Sequence, residues 1–164
     1  MPDGKLVAPL RALRAAQVDF ILVGGFAAVC NGAPVVTLDV DIVHSRDAAN
    51  IARLLPFLES IDAIFRIQPD RRIRPNASHL SGRGHLNLLT SLGQLDLLCT
   101  IGQDLTYEDL LPSSEEMEIA DGLRIRVLNL EKLIQIKSEL HGEKDRAVLP
   151  ILRRTLEEKR KLNR

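Results

Sequence analysis

Residues 37–43 read TLDVDIV, a run whose valines and isoleucine ask for a buried β-strand, yet it carries Asp39 and Asp41 one residue apart. In a strand, positions i and i+2 share a face, so both carboxylates project to one side while Val40 and Ile42 turn to the other. Adjacent like charges repel, a cost that a divalent cation held between them reverses. Hard carboxylate oxygens suit Mg²⁺ or Mn²⁺, which complete their shells with water and substrate phosphates. Acidic residues also mark the solvent-facing ends of ordinary strands, and so short a pattern does not choose between the two readings by itself.

Upstream, DFILVGG predicts a strand that stops at Gly24-Gly25, and GFAAVCNGAP a short helix that ends at Asn31-Gly32 and Pro34. A glycine pair between strand and helix lets backbone N–H groups approach a phosphate closely. Further upstream, Leu6, Leu10, Leu13 and Val18 outline a first helix. Downstream, LDVDIVHS reads as the strand, and Ser45 or Asp47 can cap a helix with Ile51, Leu54, Leu55 and Leu58 on its apolar face. Pro56 predicts a kink or early break in that helix. Residues 68–84, with Arg71, Arg72, Arg74 and Arg83, read as one long polar loop. HLNLLT and QLDLLCTI predict a hairpin, and Asp96 is a third carboxylate in an otherwise apolar strand. If that strand pairs beside the first, the three acids converge. TYEDLL is a helical turn, and EEMEIA and LRIRVL form a second hairpin across Asp121-Gly122.

Two helices close the chain. Lys137 falls on a stripe of Leu130, Leu133, Ile134 and Leu140, while Asp145 lies on the apolar side of the last helix, in line with Leu149 and Leu152. A lysine there can snorkel outward, and Asp145 can cap its helix or pair with Lys137. Taken together, the glycine pair, the three aspartates and the lysine describe a site for a metal-bound triphosphate.

The 164 residues, 45% hydrophobic and 27% charged, suit one α/β (α+β) domain over 1–164, a mixed sheet flanked by helices. Its core spans about 18–128 and a C-terminal helical part about 129–164. Basic and acidic residues balance at 22 each, so net charge does not point to nucleic acid, and five aromatics argue against stacking along a single strand. Cys30 and Cys99, far apart and in apolar surroundings, read as buried thiols. No apolar run reaches membrane-spanning length and the N-terminus lacks a signal-like segment, so a cytoplasmic protein without membrane contact is expected. His44, His79, His85 and His141 have no metal-ligand spacing, and a hydrolase reading lacks a nucleophile-elbow motif.

LVGG at 22–25 followed by TLDVDIV resembles the nucleotidyltransferase superfamily with a DNA polymerase β type of core, whose signature is hG[G/S], a short helix and DhDh. Thirteen residues separate Gly25 from Asp39, which suits that pattern. LEKLIQIKSELHGEKDRAVLPIL, residues 130–152, is similar to the Lys- and Lys-Asp-containing motifs of AbiEii-like and related minimal nucleotidyltransferases of toxin–antitoxin systems. The resemblance implies a nucleotidyltransferase-type mixed sheet and an enzyme that moves an NMP from an NTP to a hydroxyl of RNA, protein or a small molecule. Asp39, Asp41 and Asp96 would be catalytic and bind Mg²⁺ or Mn²⁺; Gly24, Gly25, Thr37, Lys137 and Asp145 would serve the nucleotide and its phosphates. A cognate toxin or antitoxin would be its partner. Val35 stands where relatives of this kind often carry an arginine, and Arg71, Arg72 and Arg74 are the candidates to replace it. A catalytically silent binding module of the same fold is the second reading. A DxD nucleotide-sugar glycosyltransferase ranks lower, because the chain is short for donor and acceptor subdomains and gives the glycine pair no task.

Overall fold

The apolar runs around the DxD stretch form the middle of a seven-stranded mixed sheet in the computed structural model, which describes residues 4–164. Helix α1 (Gly4–Ala15) leads to β1 (Phe20–Val23), α2 (Gly24–Cys30) and β2 (Val40–His44). Then come α3 (Ala48–Ser60), β3 (Ile64–Phe65), α4 (Ala77–Ser81), and the hairpin of β4 (His85–Thr90) and β5 (Gly93–Leu98). Helix α5 (Tyr107–Leu110), the hairpin of β6 (Ser114–Ala120) and β7 (Leu123–Leu128), and helices α6 (Leu130–Ser138) and α7 (Glu143–Leu162) complete the chain. The strand order is β3-β4-β5-β2-β1-β7-β6.

Alternation in the central strands separates the two faces of the sheet. Val40 and Ile42 of β2 pair with Leu95 and Leu97 of β5, which pair with Leu88 and Leu86 of β4, and all six are buried in one core with Leu10, Leu13 and Leu54. The opposite face of the same strands carries Asp41, Asp96 and Asn87 in register. The apolar side anchors the strands and leaves the polar side free for chemistry.

Several local expectations give way to tertiary structure. Asp39 lies just before β2 rather than within it. Helix α3, capped by Asp47 accepting from the Ala49 amide at 3.1 Å, runs unbroken through Pro56, because Ile51, Leu54, Phe57 and Leu58 bury its face. Residues 68–84 are not one loop: Asn76 and His79 form a reciprocal capping box that starts α4. Strand β3 pairs with β4 at the edge of the sheet and had no sequence signal of its own. Cys99 is buried, whereas Cys30 is only half-buried; burial raises the pKa of both thiols, that of Cys30 to about 11. No described helix is long and apolar enough to cross a membrane.

Candidate active site

Asp41 in β2 stands directly beside Asp96 in β5, because these strands run parallel and place the two residues opposite each other. Neighbours on one face of paired strands have Cβ atoms about 5 Å apart, close enough for the carboxyl groups to meet. Burial first, then the neighbouring Asp96 carboxyl and the charges of Asp96 and Asp39, push the Asp41 pKa up to about 7, opposed by the Lys137 ammonium. Asp39, half-buried at the mouth of β2, therefore lies within electrostatic reach of the pair.

The glycine pair packs against these acids. Gly24 adopts φ +71° at the junction of β1 and α2, and a Cβ there would collide with Oδ2 of Asp41. A Cβ on Gly25 would come within 3.0 Å of Oγ1 of Thr37. Thr37 donates to the Asp39 carbonyl at 3.2 Å within the segment before β2, and its side chain lies beside Gly25 of the glycine turn. Close approach of backbone to side chain is what only glycine permits at these two positions.

Lys137 of α6 acts on Asp41 through its charge and is held by Asp145 of α7, Nζ to Oδ1 3.0 Å. Both side chains are about a quarter exposed (27% and 22%), so the lysine is neither in the middle of a buried face nor fully solvated. Lys137 and Gly24 also border a cleft of about 410 Å³ between the ends of β1 and β5 and helix α6, whose apolar wall includes Val23, Leu98, Leu133 and Ile136. Val23 pairs with Asp41 and Leu98 lies two residues beyond Asp96, so this cleft continues the carboxylate face along the strands.

The other side of Asp96 holds a residue the sequence did not announce. Arg66, following β3, donates Nη2 to Oδ1 of Asp96 and Nη1 to Oε1 of Gln94, both at 3.1 Å. Its backbone N–H donates to the Asn87 carbonyl at 2.8 Å, so main chain and side chain are both fixed. Alternation alone places Gln94 on the face of Asp96, but nothing local in the sequence brings Arg66 to them. The arginines considered as replacements for Val35 point to other duties: Arg72 and Arg74 both pair with Asp62, and Arg71 donates to Gln68 at 3.2 Å. His44 lies on the opposite face from Asp41, with Nε2 at 2.8 Å from the Leu80 carbonyl, and burial lowers its pKa.

Among the described residues no group of three or more His, Cys, Asp or Glu side chains is arranged to hold a metal ion. The donor set is thus two carboxylates side by side on paired strands with a third acid nearby. Such a set fits Mg²⁺ or Mn²⁺, which take one or two protein carboxylates and leave other positions to water and substrate phosphates. The proton that Asp41 retains up to about pH 7 is what a hard cation would displace.

Two solved structures share this architecture. The lincosamide antibiotic adenylyltransferase LnuA, solved with lincomycin bound, matches with a TM-score of 0.60 at 16% identity, over 93% of this chain and 97% of that one. A Thermotoga maritima protein described as a candidate nucleotidyltransferase matches with a TM-score of 0.56 at 19% identity, over 93% and 91% of the two chains. The fold is therefore that of the nucleotidyltransferases, a mixed sheet with C-terminal helices. No family model matches the sequence, and no curated protein does.

Proposed function

We propose that this chain is a divalent-metal-dependent nucleotidyltransferase that moves an NMP from an NTP to a hydroxyl acceptor. The observation that carries this reading is the pairing of Asp41 with Asp96 on the polar face of the sheet, overlooked by Gly24 and within the electrostatic influence of Lys137. Asp39, Asp41 and Asp96 would hold Mg²⁺ or Mn²⁺, and the bound ion supplies charge neutralisation for the triphosphate and a lower pKa for the attacking hydroxyl.

Asp96, on the strand farther from the glycine turn, would accept the proton of the acceptor hydroxyl as its oxygen bonds to the α-phosphorus. The bond from that phosphorus to the bridging oxygen breaks and pyrophosphate leaves. Lys137, steadied by Asp145, offsets negative charge on the departing pyrophosphate. Gly24 and Gly25 give the phosphates room beside Asp41, and Thr37 lies beside the turn and donates to the Asp39 carbonyl. LnuA acts on an antibiotic, which makes a small-molecule hydroxyl one acceptor class to screen beside RNA and protein.

The test is transfer of label from each of the four α-labelled NTPs, with Mg²⁺ or Mn²⁺, to RNA, protein and small-molecule pools. The expected result is labelled product that falls roughly a hundredfold or more in Asp41→Ala and Asp96→Ala. NTP binding without transfer to any pool favours the silent binding module, the reading that Val35 in place of an arginine supports. The toxin–antitoxin role rests on the C-terminal motif resemblance alone, and copurification of a partner encoded beside this chain would test it.

A further inference from the structure

We propose that Arg66 is a positioning residue that clamps Asp96, fixing the orientation of its carboxylate while opposing cation binding at the site; this rests on the nucleotidyl-transfer reading above. Asp96 is nearly enclosed, its side chain 10% exposed, and each of its interactions is directional. Arg66 takes Oδ1 at 3.1 Å on one flank, and Asp41 stands in register beside Asp96 on the other. A carboxylate held by a guanidinium on one flank and enclosed on the other cannot rotate freely, so its remaining lone pairs keep one direction relative to the glycine turn and the cleft.

Arg66 is itself held in place. Gln94 accepts from Nη1 at 3.1 Å and the Asn87 carbonyl accepts from the backbone N–H at 2.8 Å, so β5 braces the guanidinium while β4 fixes the main chain that carries it. A planar fork with a separate partner on each terminal nitrogen supplies this geometry, and lysine cannot reproduce it. The same guanidinium puts a fixed positive charge against one of the two carboxylates that would receive a divalent ion. Orientation and charge therefore act in opposite senses: the fork favours transfer, and the charge weakens cation binding.

These senses separate in an experiment. Mn²⁺ binding to the NTP-free protein is read from the electron paramagnetic resonance signal of the free ion, and NMP transfer from the labelled-NTP assay. Arg66→Ala should bind Mn²⁺ roughly threefold or more tighter, while its kcat falls roughly tenfold to a hundredfold with KM for NTP unchanged. Arg66→Lys, which keeps the charge and loses the fork, should hold wild-type Mn²⁺ affinity and recover part of kcat. Gln94→Ala, which removes only the brace, should leave Mn²⁺ affinity unchanged and slow transfer less than Arg66→Ala. General loosening of the fold would weaken both binding and transfer. Unchanged or weaker Mn²⁺ binding in Arg66→Ala, or a wild-type kcat, overturns the clamp while leaving nucleotidyl transfer standing. A wild-type protein that neither binds Mn²⁺ nor transfers any NMP overturns both.

Discussion

Asp41 keeps its proton to about pH 7 because burial and the neighbouring carboxylates disfavour its charge. In the unfolded chain the same group titrates near its ordinary value of about 4. Between these values the folded state binds the extra proton, so stability from this group falls as pH rises through the window. His44 acts the other way: its buried ring stays neutral, and stability is lost as pH falls below the ordinary histidine value. Comparing wild type with Asp41→Asn isolates the first effect. The Tm of metal-free wild type should drop relative to Asp41→Asn between pH 5 and 8 by calorimetry, and Mg²⁺ should recover it at pH 8 in wild type only. Gly24→Ala forces a side chain into φ +71° and against Asp41. It should cost about 1–2 kcal/mol for the backbone alone in urea unfolding, with greater loss in transfer. The side of the strand that Asp41 takes was legible because period-two alternation is local; that Asp39 falls before the strand was not. Arg66 was not, because its place depends on β3 pairing with β4.

Helix α2 shows how an element is held at the site. Its C-terminal Asn31 is buried and donates to the Ala27 carbonyl at 2.9 Å and to the Leu128 carbonyl at 3.0 Å, while Lys159 of α7 donates to its Oδ1 at 3.0 Å. One amide thus links α2, the end of β7 and the C-terminal helix. Asn31→Ala should destabilise by about 1–3 kcal/mol by denaturant titration, since it strands buried carbonyls. At the level of helices, Lys137 and Asp145 join α6 to α7 across the intervening turn. A double-mutant cycle with Lys137→Met and Asp145→Asn should give a coupling of about 0.5–2 kcal/mol, measured by thermal or urea unfolding. Sequence spacing placed both residues on the helix faces involved. It left open whether they meet, which the α6–α7 crossing settles.

Across the whole molecule, one core runs under the sheet from α1 to α7. The outer strand β6 exposes Glu115, Glu116 and Glu118, charges that discourage a further strand from pairing there. With a shared core, urea unfolding should follow one transition, and far-ultraviolet dichroism should coincide with fluorescence of Tyr107, the sole tyrosine, which packs on the core. Separate midpoints would show that the C-terminal helices melt alone.

The central strands, most of the helices, the paired hairpins and the place of Asp41 on the polar face of its strand were readable along the chain, since side-chain periodicity and turn chemistry act over a few residues. The meeting of Asp41 with Asp96, the collision that reserves position 24 for glycine, the unbroken α3 and the Arg66 grip came only with folding. Those depend on strand order and parallel register, which arise from burial summed over distant segments rather than from any one of them.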